Sequence, residues 1–264
     1  MNIDQSNRSK RNKEGPIKKA YHFYMRQIGL ISKFFRKRNM DLIGDSIVSF
    51  LGEPQHLIRI AHYTLIGNVP LDEFHHHDMN PPHLSYFDQP EVATLLIHGA
   101  GGNQGPWIPF AKVLKEKGVG PVFTMNVKRV STAFRYHKNV QQEEHEAVRE
   151  RLRQIKQLYI DQGLRPPKIV VVGFSRGGDL GLSVCDEDKD IIKVIRIGKV
   201  TAGDELNEKC IEKLFEIVGK YDAICHWRSY LPEEFQYEVL TGHLGLIFSR
   251  EAQEKVAEII NNLN

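Results

Sequence analysis

Residues 168–178 read Lys-Ile-Val-Val-Val-Gly-Phe-Ser-Arg-Gly-Gly. Ile169 to Val172 form an unbroken apolar, β-branched run, the composition of a strand buried on both faces. The run passes directly into Gly173-Phe174-Ser175-Arg176-Gly177, and a helix is expected from Arg176 onward. A G-x-S-x-G pentapeptide is unspecific by itself. Between a buried strand and a helix it describes a sharp turn that lifts the serine hydroxyl above the end of a sheet. Gly173 and Gly177 keep side chains out of a turn where backbone crowds backbone. Ser175 is therefore the candidate nucleophile.

The pattern continues outward on both sides. Upstream, 92–98 (VATLLIH) and 121–127 (PVFTMNV) read as strands, with a helix at 107–118 closed by Gly118. A long helix is expected over 139–162, with Val148, Leu152, Ile155 and Tyr159 on one face and Gly163 and Pro166-Pro167 as its stop. Glu143, Glu144 and Glu146 in its first half suit the positive end of a helix dipole. Downstream, 191–198, 213–219 and 234–240 read as strands. Ala252, Val256, Ile260 and Leu263 give a closing helix its apolar face. Strands alternating with helices through short links predict a mostly parallel sheet covered on both faces, an α/β architecture. In such sheets chemistry gathers at the C-terminal ends of the strands.

The remaining candidates fall at such ends. His98-Gly99-Ala100-Gly101-Gly102 follows the strand at 92–98. A nucleophilic serine attacking a carbonyl needs fixed N–H donors for the oxyanion that forms. Ala100 can supply one such N–H and Arg176 the other, with His98 shaping the loop. A phosphate loop is the rival reading, and it fails because no Lys-Ser/Thr follows and the glycines lack GxGxxG spacing. Serine also needs a base. His243, in Thr241-Gly242-His243 after the last strand, is preferred, with His226 as the alternative. The base needs a carboxylate to fix its tautomer. Asp222, in Gly219-Lys220-Tyr221-Asp222 after the strand at 213–219, is preferred, and Asp204 after 191–198 is the alternative acid. Asp179 and Asp186 read as surface charges. Gly44-Asp45-Ser46 is a decoy, since no convincing strand precedes it.

Taken together, HGAGG, GFSRGG, the aspartate in GKYD and the histidine in TGH, in that order, resemble the α/β-hydrolase superfamily in its serine esterase and lipase branch. The resemblance spans about 92–262, with 56–66 as a possible earlier strand. It implies a Ser-His-Asp triad of Ser175, His243 and Asp222, a covalent acyl-enzyme and no cofactor. Serine at the nucleophile position argues against the dehalogenases and epoxide hydrolases of this fold, which use aspartate there. Two features depart from a typical lipase. No long apolar insertion lies between 198 and 213, which argues against interfacial action, and Arg176 is a charged neighbour that leaves room for an anionic acyl group or phosphoester. The resemblance thus implies a small-molecule ester or thioester substrate, hydrolysed or passed to an alcohol by acyl transfer. A catalytically idle scaffold used for binding is the reading from another class.

Charge divides the chain at its N-terminal arm. Residues 1–38 carry eleven Lys/Arg against Asp4 and Glu14, a net +9, which leaves the rest at −6 beneath an overall +3. An acidic body argues against a nucleic-acid partner, whose groove would be basic. Residues 1–40 read as a basic arm and 41–264 as the α/β domain. Within the arm, Ile17, Tyr21, Tyr24, Ile28, Ile31 and Phe35 form one helical stripe, with Lys and Arg mostly off it. The stripe suits docking on the protein's own body or an anionic membrane surface. His75, His76, His77 and His83 lie on a Pro-marked loop without acidic or cysteine partners at ligand spacing, so no metal is expected. Three cysteines suit reduced thiols and a cytoplasmic setting, although an Arg-rich start also fits an organelle presequence.

Overall fold

A computed structural model describes residues 91–99, 104–125, 138–198, 208–222 and 231–263. The basic arm, the strand expected at 56–66, the histidine loop, Ala100, Asp204, His226 and Cys225 lie outside the described residues.

The buried apolar runs form strands β1 (Val92–Ile97), β2 (Val122–Met125), β3 (Lys168–Phe174), β4 (Ile191–Ile197), β5 (Leu214–Gly219) and β6 (Gln236–Val239). Between and after them run helices α1 (Trp107–Glu116), α2 (Lys138–Asp161), α3 (Arg176–Ser183), α4 (Glu208–Ile211), α5 (His243–Leu246) and α6 (Arg250–Asn261). The strands make one sheet in the order β2-β1-β3-β4-β5-β6, every neighbouring pair parallel. From β1 the chain passes to β2 on one side, then returns to β3 on the other. The order reverses between β1 and β3, and the crevice beyond their carboxyl ends is where such sheets bind ligands.

Alternating strand side chains build two cores. On one face Leu96, Val170, Val172, Ile195 and Ile217 pack beneath α1 and α6, through Trp107, Phe110, Leu114, Val256 and Ile260. On the other face Leu95, Ile97, Val171 and Val194 pack beneath α2 and α3. There Val148, Leu152, Ile155 and Tyr159 are buried as their spacing predicts. A large apolar side chain fully removed from water contributes about 1.5–3 kcal/mol, so these two layers dominate the favourable side of folding. The helix stops also follow the sequence, since Gly118 and Gly163 take positive φ just beyond α1 and α2.

Three expectations need correction. No acid occupies the first turn of α2. Glu144 instead turns inward to Arg176, and Glu146 pairs with Arg149 and Arg153. Side-chain partners, not the helix dipole, therefore account for these acids. Asp179 is not a free surface charge, because it accepts from the buried Arg196. Asp186 is exposed, as its reading as a surface charge expects, and it accepts from the Cys210 thiol at 3.1 Å. The segment read as a strand over 234–240 begins as a 3-10 turn, Glu233–Phe235, before β6 starts. Cys185 and Cys210 are free and buried. Among the described residues no helix is long and apolar enough to cross a membrane. The reversal of strand order at β1, the parallel sheet with helices on both faces, and the strand–turn–helix around Ser175 make this an α/β-hydrolase fold.

Candidate active site

Ser175 occupies the single residue between β3 and α3, at φ 53° and ψ −127°. It is the only non-glycine residue with positive φ among the described residues. A side chain held there is strained and persists only because its surroundings over-determine it. The surroundings are backbone packed on backbone. A Cβ on Gly173 would lie 2.3 Å from the Gly177 carbonyl carbon, and one on Gly177 would lie 2.2 Å from the Ile97 carbonyl oxygen. Only glycine allows the turn to close this tightly. The Ser175 N–H donates to the Ile197 carbonyl at 2.7 Å, and its own carbonyl accepts from the Gly178 N–H at 2.9 Å.

His243 opens α5, directly after the loop that leaves β6. Asp222 closes the turn that leaves β5. The two turns are tied together, since the Lys220 N–H donates to Val239 and the Tyr221 N–H to Thr241. The side chains meet, with His243 Nδ1 lying 2.7 Å from Asp222 Oδ2. They are 4% and 3% exposed. A carboxylate can only accept, so Nδ1 carries the proton of this bond, and in the neutral imidazole Nε2 is then the acceptor.

The same corner holds the residue before Ser175. The Phe174 ring packs on the His243 imidazole, centroids 5.0 Å apart. Gly198, one residue beyond the carbonyl that holds the Ser175 N–H, lies under that imidazole. A Cβ at Gly198 would stand 2.9 Å from His243 Cε1. At the end of β1, a Cβ on Gly99 would come within 3.1 Å of Ser175 Cβ. The His98–Gly99 loop therefore abuts the serine. His98 is buried, and its Nδ1 lies 2.8 Å from the Gly99 carbonyl oxygen. Burial pulls the His98 pKa below its ordinary 6.5, against the raising effect of that bond. The ring is a neutral element of the loop at neutral pH.

Arg176 is the first residue of α3, where backbone N–H groups are positioned to meet an anion. Its side chain turns away to α2. Nε donates to Glu144 Oε2 at 3.2 Å, and Nη2 donates to the same oxygen. The guanidinium is thus matched by a buried carboxylate. That weakens the case for Arg176 as a receptor for an anionic substrate.

Ser175 and Arg176 lie on one segment and Asp222 and His243 on two others, all beyond the C-terminal ends of strands in one sheet. Phe174 and Gly198 were not singled out from the sequence, and Glu144 was read as a helix-dipole charge rather than as the partner of Arg176. Gly198 had a readable signal, as a glycine ending a strand of otherwise bulky residues. Among the described residues no three His, Cys, Asp or Glu side chains are grouped to hold a metal ion.

No family model matches the chain, and no curated protein matches it. Solved structures do resemble it. An α/β serine hydrolase without a lid from Xanthomonas campestris is 15% identical, covering 65% of this chain and 80% of its own, with a TM-score of 0.46. An esterase from Pyrococcus furiosus is 17% identical, covering 65% and 83%, with a TM-score of 0.47. A carboxylesterase from Mesorhizobium loti is 12% identical, covering 65% and 88%, with a TM-score of 0.46. These are likenesses of architecture, and this chain is similar to such hydrolases in its fold.

Proposed function

We propose that the protein is a serine hydrolase that cleaves carboxylic esters or thioesters through an acyl-enzyme. The observation that carries the reading is a serine on a strained turn at a strand end, in the same corner as a buried histidine–aspartate pair. A protein that only binds has no need of that strain.

In the proposed reaction Ser175 Oγ attacks the carbonyl carbon while His243 Nε2 takes its proton. Asp222 holds the Nδ1 tautomer and stabilises the imidazolium. The N–H groups of Ala100 and Arg176 meet the oxyanion. Collapse breaks the bond to the alcohol or thiol, which leaves with the proton from His243. Water then attacks the acyl-enzyme by the same route, freeing the acid and restoring Ser175. An acyltransferase would differ only in the second acceptor, an alcohol in place of water. The short stretch between 198 and 213 suits short and medium acyl chains cleaved in solution.

The test is labelling by a fluorophosphonate with peptide mapping, alongside hydrolysis of 4-nitrophenyl esters and acyl thioesters of graded length. Label should fall on Ser175 alone, and Ser175→Ala should lose both label and turnover. Full turnover by that variant would remove Ser175 from the mechanism. Adding a primary alcohol distinguishes transfer from hydrolysis through the product formed.

A further inference from the structure

Two buried charged residues interrupt the apolar strands beside the elbow. Arg196 lies within β4 (IIKVIRI) and Glu216 within β5 (LFEIVG), in register with each other. Both are 1% exposed. Arg196 Nη2 donates to Glu216 Oε1, and Nη1 donates to Asp179 Oδ1 at 3.3 Å. Asp179 stands in the first turn of α3, four residues after Ser175. Arg196 is also in register with Gly173, and its stem lies against Gly178, where a Cβ would sit 2.9 Å from Arg196 Cγ.

Stability alone does not account for this group. Removing two charges from water costs several kcal/mol each, and apolar residues of similar volume often serve a core as well or better. Arg196 Nε and Glu216 Oε2 add to the cost, since neither has a hydrogen-bond partner among the described residues. The flanking Ile195, Ile197, Phe215 and Ile217 already supply the apolar contacts between these strands and α6. What the group does provide is direction, because a planar guanidinium fixes two carboxylates at set angles. It joins the first turn of α3, which follows Ser175, to β4, which leads into the Gly198 beneath His243. It also joins both to β5, which leads to Asp222.

We infer that Asp179, Arg196 and Glu216 form a positioning network that holds the strained Ser175 turn in register with the strand delivering Asp222. The inference rests on the hydrolase reading above. None of the three is in the reacting corner. They act by fixing the distance between the elbow and the acid–base pair, where small displacements cost much rate.

The test uses the full chain and separates positioning from stability. Arg196→Met with Glu216→Leu exchanges the buried pair for apolar bulk. Its melting temperature should match or exceed that of the unaltered protein. Its KM for 4-nitrophenyl butyrate should stay within about twofold, while kcat and the rate of fluorophosphonate labelling fall together by about 100-fold. Asp179→Asn leaves the Arg196–Glu216 pair intact. It should lower kcat and labelling by about tenfold at unchanged melting temperature, and Asp179→Glu should restore part of the loss. Should the double variant not fold, Asp179→Asn decides, because Asp179 is 19% exposed and its change leaves no bare buried charge. Folded variants with wild-type kcat and labelling overturn the network while the hydrolase reading stands. A wild-type protein that is neither labelled nor active overturns both.

Discussion

A serine at φ 53° and ψ −127° lies outside the regions that L-residues favour, at a cost of about 1–3 kcal/mol. The cost is met locally by the Gly173 and Gly177 contacts and by the Ser175 N–H bond to Ile197. The same scale governs His243, whose Nδ1 bond to Asp222 selects one tautomer. Asp222→Asn tests that selection. An amide can donate to Nδ1, which moves the imidazole proton to Nε2 and removes the base. The expected result is a fall in kcat of about three to four orders of magnitude with KM nearly unchanged. Retained kcat would move the orienting acid elsewhere, with Asp204 next in line for the same substitution.

The elements were legible where the information is local. Strong alternation of apolar runs and stripes gave β1, β3 and α2 almost to the residue and the buried face of α6, because burial on both faces or one face leaves a period in the sequence. Apart from the Asp222–His243 pair, which the order of the motifs marked, partnerships between elements were not legible. Arg196 meets Glu216 only because β4 lies beside β5 in one register, and Glu144 meets Arg176 only because α2 packs over α3. Opposite charges inside mostly apolar strands were the available clue to the first pair, though Lys193 in β4 offered Glu216 a second cation. Nothing in the sequence marks the second. The Glu144–Arg176 pair carries a prediction of its own. Glu144→Gln leaves the guanidinium with a neutral partner, and a lost charge partner of this kind costs about 1–3 kcal/mol, at the low end because Arg176 retains contact with solvent. The urea midpoint should fall accordingly. With its counter-charge gone, Arg176 should also favour an anionic acyl group next to Ser175. The ratio of kcat/KM for a 4-nitrophenyl hemisuccinate over the butyrate should rise several-fold, and an unchanged ratio would mean that the guanidinium does not reach the acyl group.

At the scale of the whole molecule, two buried or half-buried imidazoles among the described residues make stability respond to pH. His98 is lowered below 6.5 by burial. His145 is lowered by burial first and then by Arg149, against the opposing pull of Glu187 and Glu144. In the unfolded chain both return toward the ordinary value, so between that value and the depressed one the unfolded state binds more protons. Stability then rises with pH across this window. The contribution is fully present above 6.5 and is lost as pH falls below it toward the depressed values. The carboxylates Glu187 and Asp190 are lowered mainly by bonds to Arg149 and Lys156, and they act in a separate window, below their ordinary 4.5 and 3.8. Urea midpoints measured from pH 8 down to pH 5 should therefore hold steady and then decline below about pH 6.5, above the window in which Glu187 and Asp190 act. His98→Gln keeps a donor for the Gly99 carbonyl and cannot be protonated. It should start from a lower midpoint but decline less steeply between pH 6.5 and 5. A decline as steep as that of the unaltered protein would mean that His98 takes up its proton without unfolding, and that the loop against Ser175 opens to water in the native state.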